Sequence, residues 1–460
     1  MICETLETIA AWCGGTVAET WKDMRIRGVS TDTRSISPGQ LFVPLRGEHF
    51  DGHDYLDAAL EAGAAAVFSE KPLEKDVPVI YVEDAMRALL DLAAAYRDTL
   101  DAQVIAITGS VGKTTTKEML SGILSTTYRV WKTQENHNNR IGLTQTILST
   151  PTDTEYLVLE LGMNHFGEMS ELTAVAKPNL VVITNIGSMH IEHLGSREGI
   201  LQAKLEILEG LRPGGTAVFC GDEPLLWGLH NIHADKIIYF GTENEQCDIR
   251  AMDFEMPAGG SRFTIEGLGR HFDVYVPAEG RHSIQNALAA CAVALCCNVQ
   301  PASIQTALAR FQNTGMRQKT YEAKGYTIID DCYNAGPESM EAAILVLGDR
   351  KARGRKIAVL GDMLELGDRA AAEHYRIGRI AANKTDMIFA YGQNAERIIS
   401  GALTGGMKNN RALSFDSQEE LVNALVSRAK PGDVLLFKGS RGMRMEKALA
   451  LFLEKQPEPL

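Results

Sequence analysis

The chain has 460 residues, of which 45% are hydrophobic and 23% charged, enough for about three globular domains with a sizeable core. A formal net charge of −13 excludes a nucleic-acid partner, because nothing would offset phosphate repulsion, and it disfavours anionic membrane surfaces. An anionic substrate must therefore meet local basic residues and helix termini rather than a favourable overall field. Residues 1–15 carry Glu4 and Glu7 but no basic region, so they do not read as a signal peptide, and the longest apolar run, Ala287–Cys297, is too short to span a bilayer. No membrane insertion is expected. Eight scattered cysteines, none in a Cys-x-x-Cys pair, suit small core residues in a reducing cytoplasm, which is the expected location.

Residues 1–100 mix short strand-like runs at Gly39–Leu45, Ala65–Phe68 and Val77–Val82 with helical stretches ending in Asp84–Leu100. Two polar loops lie among them, Ser30–Arg34 and Gly47–Asp54, each near a strand end where α/β proteins bind ligands or simply turn.

Residues 101–313 open on the most informative segment. The apolar run Gln103–Ile107 precedes Thr108-Gly109-Ser110-Val111-Gly112-Lys113-Thr114-Thr115-Thr116-Lys117, and a helix-like stretch, Lys117–Leu124, follows. Strand, glycine-rich turn and helix N-terminus together form a phosphate cradle, a P-loop. Backbone amides from Gly109 to Thr115 converge on the anion, Lys113 adds a point charge, and Thr114 is placed to ligate Mg²⁺. The loop is the shorter Gly-x-x-Gly-Lys-Thr form, since Ile107 stands where the longer form needs glycine.

Beyond the loop, Thr133–Asn139 clusters short amides, with Asn139 among those able to meet phosphoryl oxygens or to shape an Asx turn. Buried-strand patterns follow at Tyr156–Leu161, Leu180–Asn185 and Thr216–Cys220, separated by helix-length segments, so the sheet reads as doubly wound and mostly parallel. Glu160 ends the first of these strands, where a carboxylate points into the crevice and can take a second Mg²⁺-coordinating role. His190 emerges after the next strand, with His193 nearby, and Lys204 sits in an otherwise apolar helix, Ile200–Leu211. Arg281–Asn286 opens a helix of small residues.

Residues 314–460 repeat the strand–helix rhythm, with strands at Thr327–Asp330, Lys356–Leu360, Met387–Tyr391 and Val434–Lys438, and resemble a small Rossmann-type domain. No Gly-x-Gly-x-x-Gly follows its first strand, so no dinucleotide is expected there. Arg317 lies at the junction with the preceding region, placed to reach nucleotide phosphates when domains close. Asp330–Pro337 ends the first strand, and Pro337 suits the first turn of the next helix, which would leave Asp331 and Asn334 exposed at the crevice. Lys438-Gly439-Ser440-Arg441 lies between the last strand and helix, fit to bind a carboxylate or only to turn. Asn383-Lys384-Thr385-Asp386 mimics a guanine-specificity motif but precedes a strand in the wrong domain, and reads as a helix C-terminus.

In combination, Gly109–Lys117, Asn136–Asn139, Leu159–Asn164, Asn185–His190, Ala203-Lys204, Arg281–Asn286, Asp330–Pro337, Val359–Gly367 and Lys438–Arg444 resemble the Mur ligases. The resemblance runs from about Ser30 to Glu446. Ser283 and Gly336 depart from the family's pattern, which carries asparagine at both positions. The resemblance implies a smaller N-terminal α/β domain holding UDP-N-acetylmuramoyl-tripeptide, a central ATP-binding domain, and a C-terminal domain bringing D-alanyl-D-alanine. Lys113 would hold the phosphates, Thr114 and Glu160 one Mg²⁺, and His190 and a carbamylated Lys204 a second. Asn286, Arg317 and Asp331 would contact the nucleotide. Ser30, Arg34 and His53, with Asn334, Lys438 and Arg441, would meet the substrates. A monomer forming an amide bond at the expense of ATP is expected, with the third residue of the tripeptide, L-lysine or meso-diaminopimelate, left open. Another amide ligase of the superfamily, such as a folylpolyglutamate synthetase or a different Mur ligase, and a P-loop ATPase switch are the competing readings; the switch would require an Asp-x-x-Gly loop soon after the nucleotide loop, and no persuasive one follows.

Overall fold

The structure, a computed structural model, describes residues 1–47, 49–229, 232–257, 259–313 and 315–457. Glu48, in the second polar loop, and Thr314, at the expected start of the third region, lie outside the described residues.

Three sheets succeed one another along the chain. The first has five short strands in the order Thr16–Val17, Val79–Tyr81, Ala66–Ser69, Leu41–Phe42, Val29–Ser30, all parallel except the first pair. Its closing helix, Ala85–Asp98, starts where Asp84 accepts a hydrogen bond from the Arg87 amide, an N-cap of ordinary chemistry. That helix packs against the helices Arg140–Leu148 and Glu168–Ala176 of the next unit. Its last turn buries Arg97 completely, and the guanidinium donates to the carbonyls of Ala176 (3.1 Å), Leu100 (3.2 Å) and Lys177 (3.4 Å). A cation thus closes the C-terminal end of Glu168–Ala176, where free carbonyls and the helix dipole favour one. Burial pulls the Arg97 guanidinium down to about 10.

The central sheet has nine strands, in the order Val130–Lys132, Tyr156–Glu160, Gln103–Thr108, Leu180–Ile183, Thr216–Cys220, Lys236–Gly241, Ile249–Glu255, Ser261–Gly267, Arg270–Val276. Every pair is parallel as far as Ile249–Glu255. The inner strands are buried on both faces and so read as continuous apolar runs. The last three strands form an antiparallel ribbon, an extension beyond the parallel plan expected from sequence. Two helix limits also differ: the helix after the phosphate loop begins at Lys113 rather than Lys117, and Ile200–Leu211 divides into the α-helix Arg197–Leu205 and a 3₁₀ turn, Glu206–Gly210.

The third sheet has six strands, Lys319–Ala323, Tyr326–Asp331, Val434–Lys438, Lys356–Gly361, Met387–Tyr391, Ala412–Phe415, parallel except for the first hairpin. Pro337 occupies the first turn of the helix Pro337–Asp349, as its fixed φ predicts. Asn383 is the C-cap of Ala370–Ala382, so the guanine-like motif is indeed a helix end.

Candidate active site

One cleft of about 1250 Å³ runs between the central and C-terminal sheets, lined by the phosphate loop, the strand ends of the central sheet and the first helices of the C-terminal unit. All four central strands named in the sequence reading end at this crevice or beside it, as the parallel order requires.

The loop is held in shape before any ligand contact. Thr184 Oγ1 and Asn185 Nδ2 donate to the Val111 carbonyl at 2.7 and 3.1 Å, the Val111 amide donates to Asn185 Oδ1 at 3.0 Å, and the Gly187 amide donates to Ser110 Oγ at 2.8 Å. Gly112 caps the helix in the left-handed region (φ 85°), and a Cβ there would lie 2.2 Å from Asn286 Oδ1. Glycine is thus required twice over, by backbone and by space. Lys113 Nζ donates to the Gly109 carbonyl at 2.7 Å. Burial pushes its ammonium below the ordinary lysine range; Glu160 opposes the shift and Arg317 reinforces it, so all three charges act on the same volume.

Glu160 is 1% exposed and fully engaged: Thr114 Oγ1 donates to Oε2 at 2.8 Å and Asn138 Nδ2 to Oε1 at 2.9 Å. Asn138, not Asn139, is the amide that reaches the carboxylate; Asn139 caps the helix Arg140–Leu148 by accepting from the Gly142 amide at 2.9 Å. Lys117, a residue with no sequence signal for this role, is wholly buried beneath the loop with Nζ 3.7 Å from Glu160 Oε2. Its ammonium donates to the carbonyls of Thr133 and Glu135 at 2.8 and 2.9 Å.

Thr114 and Glu160 present hard oxygen donors side by side, the chemistry that suits Mg²⁺ completed by water and phosphate oxygens. Among the described residues no group of three His, Cys, Asp or Glu side chains is arranged as a metal cage. Near this pair, Lys204 is 2% exposed, and none of the hydrogen bonds or ion pairs among the described residues involves its Nζ. Desolvation, with the charge of Lys113 adding to it, drives that ammonium far below its usual range. His190, in a left-handed backbone (φ 64°), holds Nδ1 2.6 Å from Glu365 Oε2 of the C-terminal unit.

At the far end of the cleft lie Cys220, Asp222, Phe240, His282, Ser283, Gln285 and Asn286. The Asp222 carboxylate accepts from the backbone amides of Thr242, Glu243 and Asn244; burial pushes it up, but these donors outweigh burial and hold it below the usual range. The hinge places the Arg317 guanidinium 3.7 Å over the Tyr333 ring, on the cleft wall.

The C-terminal wall corrects one expectation. Asp331 is not exposed at the crevice: it is 6% exposed, its Oδ2 accepts from Lys438 Nζ at 2.7 Å, and its Oδ1 accepts from the Gln318 amide at 3.1 Å. Lys438, itself 2% exposed, also donates to the Asn334 carbonyl at 3.0 Å, so this pair is built into the wall rather than held free for a ligand. Asn334 lines the cleft and accepts from the Arg441 amide, while the Arg441 guanidinium lies 3.2 Å from Glu446. Ser30 ends the strand Val29–Ser30 of the N-terminal sheet, Arg34 lies in the turn that follows it and His53 in the 3₁₀ turn Gly52–Tyr55, all three outside this cleft. Ser30 is bonded to the backbone of Asp32, Arg34 pairs with the Asp32 carboxylate at 2.6 Å, and His53 bridges Asp51 and the Glu70 amide.

A cleft between a P-loop unit and a second α/β unit, with Arg317 on its wall, suits an ATP-using ligase. Three sequence profiles match in succession: the Mur ligase family catalytic domain over residues 25–97, the Mur ligase middle domain over 107–294, and the Mur ligase glutamate ligase domain over 309–441. The chain is 41% identical over 460 residues, 99% of each chain, to UDP-N-acetylmuramoyl-tripeptide–D-alanyl-D-alanine ligase of Bacillus subtilis (strain 168). Its structure superposes on MurF from Acinetobacter baumannii with a TM-score of 0.91 at 32% identity, covering 99% of this chain and 100% of that one. It also superposes on the MurF ligase of Thermotoga maritima in complex with ADP, with a TM-score of 0.82 at 31% identity over 94% and 98%. The chain belongs to the Mur ligase family.

Proposed function

We propose that the protein joins D-alanyl-D-alanine to UDP-N-acetylmuramoyl-tripeptide at the expense of ATP, yielding the pentapeptide precursor of peptidoglycan, ADP and phosphate. The observation that carries the reading is the meeting of Lys113, Thr114, Glu160 and Arg317 in one cleft closed by the C-terminal unit, in a chain alike end to end to ligases of that name.

A carboxylate resists an amine at neutral pH because oxide is a poor leaving group. Transfer of the γ-phosphoryl group to the tripeptide's terminal carboxylate gives an acyl phosphate that the amine can open. Two anions must first approach, so neutralising charge dominates the barrier. Lys113 and the loop amides hold the phosphates, and Arg317 adds its charge from the hinge. Thr114 and Glu160 would hold Mg²⁺, which would supply Lewis-acid charge to the phosphoryl oxygens. Asn286 and the residues about it hold the nucleoside end. The N-terminal unit, residues 1–100, takes the sugar nucleotide with Ser30, Arg34 and His53 on its binding side, and the C-terminal unit, residues 314–460, brings the dipeptide along the wall containing Asn334, Lys438 and Arg441, with Asp331 on the nucleotide's side.

A carbamate on Lys204 gives physical sense to a buried lysine without an anion partner. Addition of CO₂ to the neutral amine, with one N–H proton released to solvent, gives a carbamate anion whose oxygens, with His190, would suit a second Mg²⁺. An amine held uncharged is the reactive form for that addition, which the depressed Lys204 supports. Both ATP and the sugar nucleotide belong to the cytoplasm, where the protein would work.

The test is phosphate release and product mass with ATP, the UDP-tripeptide and candidate amines. Strong turnover is expected only with D-alanyl-D-alanine; turnover with single amino acids would favour another superfamily ligase, and phosphate release without an amine would favour an ATPase. Lys113→Ala should abolish ligation, whereas Lys204→Ala should be inactive and partly rescued by small carboxylic acids. Full activity of Lys204→Ala would exclude the carbamate.

A further inference from the structure

We propose that Glu365, from the C-terminal unit, is a positioning residue: it grips Nδ1 of His190 across the domain boundary and so makes the working form of His190 a property of the closed molecule. The inference rests on His190 serving the reaction centre, as proposed above.

Glu365 belongs to the Val359–Gly367 segment, which the sequence marked and which the chemistry so far leaves without a task. It lies in the turn between the strand Lys356–Gly361 and the 3₁₀ turn Gly367–Arg369, and its Oε2 meets His190 Nδ1 at 2.6 Å although the two residues are 175 positions apart. Both hold left-handed backbone, φ 64° at His190 and 62° at Glu365, a conformation that side-chain-bearing residues adopt only when surroundings impose it. The two turns also touch through their backbones: the Glu192 amide donates to the Glu365 carbonyl at 3.4 Å. A second bond crosses the same boundary nearby, from Ser188 Oγ to Glu338 Oε1 at 2.6 Å, with Gly187 leaving room for that carboxylate. The C-terminal unit therefore handles the segment 187–192 at two points, and only one of them touches a histidine.

A neutral imidazole has one N–H and one lone pair. With its Nδ1–H given to a carboxylate, the lone pair is fixed on Nε2, which has no hydrogen-bond partner among the described residues and belongs to a side chain on the cleft wall. This is the arrangement by which carboxylates commonly set the tautomer and orientation of a working histidine. When the domains part, Glu365 leaves with its own sheet, and His190 is free to change tautomer and rotamer. Closure then does more than bring substrates together: it selects the acceptor nitrogen.

The experiment uses the full chain, labelled with ¹⁵N-histidine, with the His190 signals assigned by their loss in His190→Gln. The wild type should show the Nδ1-protonated tautomer, and Glu365→Ala should lose it. In steady state, Glu365→Ala should lower kcat about 10- to 100-fold, the usual cost of removing such a partner, while KM for ATP stays within about twofold. Glu365→Gln, whose amide oxygen can still accept from Nδ1, should recover most of the loss and keep the tautomer, which guards against a folding defect in the alanine variant. An Nε2-protonated His190 in the wild type overturns the proposal. So does a Glu365→Ala protein with unchanged tautomer whose only change is a raised KM for the dipeptide, the signature of a mere clasp. The tautomer is read without turnover, so failure here is separable from failure of the ligase reading, which wild-type product formation decides.

Discussion

Replacing Lys117 by methionine isolates the electrostatics beneath the phosphate loop. Methionine keeps the stem's bulk but removes the ammonium from a site with no water access. At 3.7 Å from Glu160 Oε2, and with an effective dielectric near 20, the attraction to Glu160 that is lost is about 4 kcal/mol; Glu118, 3.2 Å from Lys117 Nζ, also loses this cation but keeps its pairing with Lys132. The carbonyls of Thr133 and Glu135 also lose their donor, but Glu160 keeps the Thr114 and Asn138 hydrogen bonds, which limits its exposure to an uncompensated charge. Breaking one side of a buried pair costs about 3–5 kcal/mol, and the lower half of that range is expected here. Hydrogen exchange at the amides of Tyr156–Glu160 reads the local opening free energy, with Trp131 fluorescence in urea as a second probe on the neighbouring strand. Lys117→Arg should retain most of the stability. Adding Glu160→Gln to Lys117→Met should recover about half of the loss, because a neutral amide no longer needs the cation. A Lys117→Met protein within about 1 kcal/mol of wild type, or a double variant with no recovery, would refute the account of Lys117 as the counter-charge of Glu160.

Gly112→Ala should weaken ADP binding by at least about 100-fold in calorimetry, since the new Cβ meets Asn286 Oδ1 at 2.2 Å in a backbone that disfavours alanine. Arg97→Leu should destabilise the chain by about 2–4 kcal/mol in thermal unfolding, as three buried carbonyls lose their donor at the joint between the first two units. His282 is held below 6.5, chiefly by burial, so between its native pKa and 6.5 the unfolded chain binds the extra proton. Stability therefore rises with pH through that window and is lost as pH falls below 6.5, and His282→Gln should flatten the acid limb by up to about 1.4 kcal/mol per pH unit. His374, lowered for the same reason, should keep its own share of the slope.

What the sequence disclosed follows from how each part is buried. Gln103–Thr108, Tyr156–Glu160 and Leu180–Ile183 are covered on both faces, so they stand out as unbroken apolar runs and their ends locate Lys113, Glu160 and His190. The ribbon Ile249–Val276 is covered on one face only, and its exposed arginines, aspartates and glutamates interrupt the hydrophobic signal until it resembles loop. Side chains that answer a neighbour in sequence space were legible, as with Pro337 and the helix it begins. Those that answer a distant partner were not: nothing near Asp331 announces Lys438, and nothing near His190 announces Glu365. Lys117 shows the same limit, because its burial depends on Thr133 and Glu135 folding over it.

The same ribbon settles how the nine-stranded sheet ends. Its outermost strand, Arg270–Val276, is overlaid by the helix Pro301–Ala309, and Gln305 Nε2 takes the Asp273 carbonyl at 2.8 Å. The opposite border is only the three-residue strand Val130–Lys132, with the Lys132 side chain tied to Glu118. Neither border offers a long row of free amides on which a second molecule could add a strand. A large parallel core is thereby left with little border on which a neighbouring copy could extend it.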